Sequence, residues 1–255
     1  MADSAPGPDM VGKALALLTR LGDYPDGAPA AELARQVGFP LSTAHRLLGA
    51  LVRDGFASFD QDNKRYELGL RIFQLAQQVL HARGLTGLAK PVLEEVSSVT
   101  KEATLLAVRD GERQLYLYSS QGPQQVRVVG EAGRHGPLHC TSQGKVLVAF
   151  AEPSAREYLI ENLPLDPAGP KAITTRSRFR NEIEEVRERG WAVADEEHEA
   201  GIRAISVPVF GHDEVAAGAL ATAAPAFRMS IQELVRHLPT LAEAAKTLSV
   251  LMALQ

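Results

Sequence analysis

The stretch Pro29-Ala30-Ala31-Glu32-Leu33-Ala34-Arg35-Gln36-Val37-Gly38-Phe39-Pro40-Leu41-Ser42-Thr43-Ala44-His45-Arg46-Leu47-Leu48 decides how the chain is read. Pro29 stands where a helix can begin. Ala31, Leu33, Ala34 and Val37 form a short apolar face that ends at Gly38, a residue suited to closing a helix. After the turn Gly38-Phe39-Pro40, a further helix is predicted from Ser42 through Val52 to Gly55. Its two faces differ. Ala44, Leu47, Leu48 and Leu51 form a packing stripe, while Ser42, Thr43, His45 and Arg46 gather on its first turns. A short helix, a tight turn and a second helix that starts with polar residues form the pattern of a DNA-reading helix-turn-helix, which sets N-terminal side chains against base edges.

The flanking residues extend that pattern. Upstream, Met10, Leu15, Leu17, Leu18 and Leu21 recur at helical spacing and stop at Gly22, and the polar loop Asp23 to Ala28 follows. Downstream, Phe56 to Phe59 and Arg65 to Leu68 alternate across the polar turn Asp60 to Lys64. This predicts a hairpin, placed as a wing, with Lys64 and Arg65 available to phosphates. A bare three-helix packing module would account for any one of these residues. The coincidence of helix lengths, turn, polar cluster and hairpin favours DNA binding.

Whole-chain composition leaves the domain count open at 255 residues, 45% hydrophobic and 23% charged. The net charge of −4 argues mildly against nucleic acid, unless a small module binds DNA while a larger one carries the acid. The single cysteine, Cys140, cannot form an internal disulfide, which points to the cytoplasm. Met1 to Asp9 reads as a loose tail and lacks the basic and apolar segments of a signal peptide. No run reaches the roughly 18 apolar residues of a membrane span; even the apolar C-terminus is interrupted by Arg236, His237, Pro239, Glu243 and Lys246.

The run Leu41-Ser42-Thr43-Ala44-His45-Arg46-Leu47-Leu48, continued by Leu51, Gly55-Phe56 and Tyr66-Glu67-Leu68-Gly69, resembles the IclR family of bacterial transcription regulators. Later stretches are similar to that family's effector domain: Pro137 to Lys145, Arg189 to Glu197, Gly201-Ile202-Arg203 and Pro208-Val209-Phe210. The resemblance runs in order from about Val11 to Leu254. It implies a winged helix-turn-helix over residues 8–70, a linker helix over 71–84 that helps the DNA-binding heads dimerise, and an α+β, GAF-like effector and oligomerisation domain over 85–255. It also implies a homodimer or dimer of dimers, acting on a double-stranded, pseudo-palindromic operator. The linker's own residues agree, since Leu70, Phe73, Leu75, Ala76, Val79 and Leu80 carry more apolar surface than a solitary exposed helix would.

In the larger part, Leu85 to Val99 reads as a helix. Ala103 to Arg109 and Gln114 to Ser120 read as strands across the Asp110-Gly111 turn, and a third strand is predicted near Val126 to Val129. Helices follow at Lys145 to Phe150, Ala155 to Glu161 and Arg178 to Arg189. Strands are predicted at Trp191 to Ala194, Ala204 to Phe210 and Val215 to Thr222, and one closing helix over Ile231 to Leu254. The expected sheet is mostly antiparallel.

Thr141-Ser142-Gln143-Gly144-Lys145 leads from a loop into a helix, with free N–H groups, short polar side chains and a glycine, and helix starts of this kind bind anions. A plain cap is the alternative reading. Within the resemblance this loop borders the effector cavity. Ser142, Gln143 and Gly144 are therefore candidate effector ligands, with Asp195, Ala204, Ser206, Ala221 and Ala223 on the other walls. The small apolar side chains of Ala204, Ala221 and Ala223 point to an aromatic or otherwise apolar organic acid.

Other chemistries find weaker support in the sequence. Asp195-Glu196-Glu197 could be paired acids, but adjacent loop carboxylates point in different directions. His135, His139, Cys140 and His198 are metal donors with unconvincing spacing, and Cys140 with Ser142 and a histidine lacks a catalytic context. No cofactor is expected. The alternatives from other classes are a small-molecule enzyme with a helical dimerisation head and a constitutive DNA-binding protein whose pocket is filled.

Overall fold

The computed structural model describes residues 9–82, 89–211 and 214–253. Of the expectations, all of the Met1 to Asp9 tail but Asp9, residues 83–84 of the linker helix, residues 85–88 of the helix from Leu85, and Leu254 at the end of the closing helix lie outside them. The chain divides into two compact units, Met1–Ala82 and Arg83–Gln255.

The first unit contains α1 (Met10–Leu21), α2 (Ala30–Val37), α3 (Leu41–Arg53), β1 (Ala57–Asp60), β2 (Arg65–Leu68) and α4 (Leu70–Ala82). Asp9 caps α1 by accepting from Gly12 N at 2.7 Å. Gly38 ends α2 at φ 71°, with nothing within 4 Å of a Cβ placed there, so glycine serves the left-handed turn into α3 and not a space limit. Leu17 and Leu21 of α1, Leu33 and Ala34 of α2, and Ala44, Leu47 and Leu48 of α3 bury against Tyr66 of β2. The apolar stripe read from the sequence is thus the core of a three-helix unit. β1 and β2 pair antiparallel from Ala57↔Leu68 to Asp60↔Arg65, and Ala28 adds a bridge to Tyr66.

The second unit contains α5 (Ala89–Thr100), β3 (Ala103–Asp110), β4 (Arg113–Ser120), β5 (His135–Pro137), α6 (Ser142–Ala149), α7 (Pro153–Asn162), α8 (Arg176–Arg189), β6 (Ala192–Asp195), β7 (Ile202–Phe210), β8 (Ala216–Pro225), α9 (Ile231–Val235) and α10 (Leu238–Ala253). Its six strands form one antiparallel sheet in the order β5-β4-β3-β8-β7-β6. α5 and α10 pack together and against the sheet, and α6 packs on the sheet with α7 and α8 over it. Leu138, Val146, Val148, Phe179, Ile183 and Val186 are central to that second layer.

Two expectations are corrected. Val126 to Val129 is not a strand; the edge position beside β4 belongs to β5, where Gly136 pairs with Gln114. The valine-rich segment instead leads to Gly130, which lies so close over Leu105 that a Cβ would come within 2.0 Å of its Cδ2. The closing helix is broken into α9 and α10 across Arg236-His237. Pro239 forces the break, because it has no N–H for a helical bond and its ring would strike the carbonyl one turn back, whereas it is tolerated in a first turn. Among the described residues, no helix is long and apolar enough to cross a membrane.

Candidate DNA-reading surface and effector cavity

On α3, Ser42, His45, Arg46 and Gly49 are exposed and Thr43 is half-buried, while Ala44, Leu47 and Leu48 are buried. The exposed residues stand at i, i+3, i+4 and i+7 and therefore share one face. The helix begins at Pro40, which supplies no side-chain cap, so its first N–H groups remain open to an anion. Arg46 touches Met10 Sδ at 3.5 Å and is otherwise free to reach outward.

The two wing candidates differ. Lys64 is exposed at the tip with φ 55°. Arg65 is turned inward: Nε donates to Asp26 O at 2.9 Å, and Nη2 donates to Gly27 O at 2.7 Å. Arg65 therefore ties the wing to the loop before α2, and Lys64 is the side chain left available at the tip. Acid is not confined to the larger unit either, since residues 1–82 hold eight Lys and Arg against nine Asp and Glu. Any attraction for DNA must come from local placement.

In the second unit a cavity of about 350 Å³ opens between the sheet and the start of α6, within the range of small-molecule sites. Its floor is Leu105 of β3, Ala204 of β7, and Ala221 and Ala223 of β8, which the register places side by side: Leu105↔Ala221 and Ala204↔Ala223. Val128 packs on the same cluster. At the other end is Ser142, 2% exposed, whose hydroxyl has no hydrogen-bond partner among the described residues. Thr141 caps the helix by accepting from Gly144 N at 3.0 Å, and its own proton goes to Pro137 O at 2.8 Å. The N–H groups of Ser142 and Gln143, in the first turn, have no intrahelical acceptor.

The remaining effector candidates are placed differently from one another. Gln143 lines the cavity, but both its amide protons are committed, to Leu105 O at 3.1 Å and Ala219 O at 2.8 Å. It clamps α6 to the sheet. Gly144 faces the backbone of Leu138, where a Cβ would lie 2.3 Å from the carbonyl oxygen; its close approach is to the protein's own chain. Asp195 lies outside the lining. It pairs with Arg203 at 2.6 Å and Lys171 at 2.7 Å, and these cations hold its carboxyl below the usual range. Ser206 is fully buried and donates to Leu220 O at 3.0 Å.

Tyr116, His198, Glu199 and Ile202 also line the cavity; the sequence names none of them as an effector contact, His198 entering there only as a metal donor and Ile202 only within the family-like stretch. His198, Glu199 and Ile202 lie within the Asp195–Arg203 wall that the resemblance implied, so the segment was legible although its inward side chains were not. Tyr116 had no local signal. Its hydroxyl accepts from Gln114 Nε2 at 2.8 Å, and burial pushes the phenol up.

Cys140 lies 3.8 Å from His198 Nδ1, and burial pushes its thiol up to about 12, which favours the protonated form over the reactive thiolate. Among the described residues, no group of three or more His, Cys, Asp and Glu could hold a metal ion.

The profile described as bacterial transcriptional regulator IclR C-terminal matches residues 77–250, and that of the IclR helix-turn-helix domain matches residues 10–61. The HTH-type transcriptional regulator KdgR of Escherichia coli is 28% identical, covering 87% of this chain and 84% of its own length. The probable transcriptional regulator SauR of Cupriavidus necator is 30% identical over 84% and 85%. Among solved structures, an IclR homolog from Microbacterium hydrocarbonoxydans complexed with 4-hydroxybenzoate superimposes with a TM-score of 0.80 at 27% identity, covering 94% and 98% of the two chains. With both halves matched in order, and with a helix-turn-helix unit and an effector-type unit on one chain, this protein belongs to the IclR family of transcription regulators.

Proposed function

We propose that the regulator responds to a small organic acid with an aromatic or otherwise apolar body. The observation that carries this reading is the Ser142 hydroxyl, open to the cavity and without a hydrogen-bond partner among the described residues, beside two free helix N–H groups and an apolar floor of Leu105, Ala204, Ala221 and Ala223. The carboxylate sits at Ser142 and the N–H groups of Ser142 and Gln143, and the body lies on the alanines. The Microbacterium homolog's 4-hydroxybenzoate has this character.

On the DNA side, Arg46 reads a base edge, with Ser42, Thr43 and His45 around it and Lys64 on a phosphate. The operator is pseudo-palindromic and the protein acts in the cytoplasm as a homodimer or dimer of dimers, without catalytic activity. Exposed Leu70 and Phe73, one turn apart on α4, supply apolar surface for pairing. Two measurements test the whole reading. In a gel-shift on the protein's own upstream region, Arg46→Ala loses specific binding, a loss of about 1–3 kcal/mol for one bidentate contact. In calorimetric titration with benzoate-type acids, wild type binds and Ala221→Phe, which fills the floor, does not, although it still binds operator. Operator binding equal to wild type in Arg46→Ala removes α3 as the reading helix; unchanged ligand affinity in Ala221→Phe moves the site elsewhere.

A further inference from the structure

Among the described residues Lys145 is one of the largest fully buried side chains, with 1% of it exposed, and it carries a charge. A buried ammonium survives only with close partners. Here Nζ lies 2.8 and 3.1 Å from the two carboxylate oxygens of Glu197 and 3.1 Å from Glu182 Oε1. Glu197 immediately precedes His198 and Glu199, which face the cavity. Glu182, on α8, is also 3.1 Å from Arg189 Nη2, and the Arg189 guanidinium lies 4.5 Å from the ring centre of Trp191 while its Nε donates to Trp191 O at 2.7 Å. An ionic chain thus runs from the cavity wall through Glu197, Lys145, Glu182 and Arg189 to the half-buried Trp191.

The two ends of this chain are held differently. Lys145 is two residues from Gln143, whose bonds to Leu105 O and Ala219 O fix the start of α6 on the sheet. The wall is a loop. From its outer side it is held by Lys171 on Asp195 and Glu196, by Arg203 on Asp195, and by Gly169 N on Glu197 O at 2.8 Å. From inside it is reached by Lys145 on Glu197 and by Cys140 Sγ, 3.8 Å from His198 Nδ1; of these only Lys145 brings a charge.

We propose that Lys145 is a positioning residue for the effector cavity: through Glu197 it sets the wall carrying His198 and Glu199, and through Glu182 and Arg189 it links the wall's position to Trp191. This rests on the cavity being the effector site, but the link can be tested without any ligand. Trp191 is the one tryptophan in the sequence, so intrinsic fluorescence has a single source.

The experiment uses the full chain and two readouts, amide hydrogen exchange across residues 196–202 and acrylamide quenching of Trp191. Lys145→Met strands the Glu197 carboxylate and leaves Glu182 paired with Arg189 alone. It speeds exchange in the wall about tenfold or more relative to β8 and changes quenching of Trp191. Glu197→Gln leaves Lys145 paired with Glu182, keeps the fold, and moves both readouts in the same direction by less. Lys171→Ala, which frees the wall from its outer side, speeds exchange there without altering Trp191. If Lys145→Met does not fold, Glu197→Gln decides. Unchanged exchange and quenching in folded Glu197→Gln overturns the proposal. An equal change of quenching in Lys171→Ala also overturns it, because loosening of the wall by any route would then suffice and the Lys145 chain would carry nothing. Failure of the effector reading appears separately, as absent ligand binding in the calorimetric titration.

Discussion

The helices α3 and α6 start with similar residues and meet different surroundings. α3 opens Leu41-Ser42-Thr43 and keeps one face exposed, whereas α6 opens Ser142-Gln143-Gly144 and buries all eight of its residues. Both offer free N–H groups and short polar side chains to an anion. The start of α3 faces outward with no cap, so a polymer's phosphates and base edges can reach it. The start of α6 is capped by Thr141 and enclosed by sheet and loops, so only a small molecule fits. Enclosure, not the residue types, separates the two candidate ligands.

One substitution made in both helices gives the largest contrast. Gly144→Ala drives a methyl into the Leu138 backbone and is expected to destabilise the second unit by about 3 kcal/mol or more. Gly49→Ala meets nothing within 4 Å on the exposed face of α3 and is expected to stabilise the first unit by about 0.5–1 kcal/mol, through helix propensity and a less flexible unfolded chain. Thermal unfolding followed by circular dichroism checks both; shifts of the same sign would mean that the two helices are not differently enclosed.

A smaller contrast lies in the polar side chains. Thr141→Ala removes a cap and is expected to lower stability by about 1–2 kcal/mol. Ser42→Ala, exposed and outside any cap bond, is expected to change stability by no more than about 0.5 kcal/mol while weakening operator binding. Chemical denaturation beside a gel-shift separates the two effects, and a stability loss in Ser42→Ala as large as that of Thr141→Ala would erase the distinction.

The smallest effects belong to the wing, where adjacent cations divide their roles. Arg65→Ala loses its bonds to Asp26 O and Gly27 O and is expected to reduce stability of the first unit by about 1 kcal/mol. Lys64→Gly removes a charge at a residue whose positive φ suits glycine, so stability holds, while the salt slope of DNA binding falls by about 0.9 for one lost phosphate contact. Equal slopes for Lys64→Gly and wild type would take the wing off the DNA.

Much of the first unit was legible because its elements are local. A period of 3.6 residues, Gly38 and Pro29 mark helices whose packing partners lie within a few dozen residues. Of the candidate cavity, only the polar start of α6 carries a local pattern; the walls on β7, β8 and the loop Asp195 to Arg203 rest on the family resemblance. Tyr116 and Val128 gave no sign, since each becomes a wall only when β4 and the following loop are folded against Leu105. Gln143 and Gly144 read from the sequence as candidate effector ligands; in the fold the Gln143 amide clamps sheet carbonyls and Gly144 makes room for Leu138.

By itself the sequence determined the order of elements, the apolar faces, the family to which they belong and the short polar residues at two helix starts, because periodicity and turn chemistry act over a few residues. Tertiary structure alone decided which of those polar groups are free. Whether Arg65 faces a phosphate or a carbonyl, whether Asp195 faces a ligand or Lys171, and whether Lys145 is a surface charge or a buried anchor all depend on residues tens of positions away. A hydrogen bond or ion pair is satisfied by whatever lies within about 3 Å in space, regardless of separation along the chain.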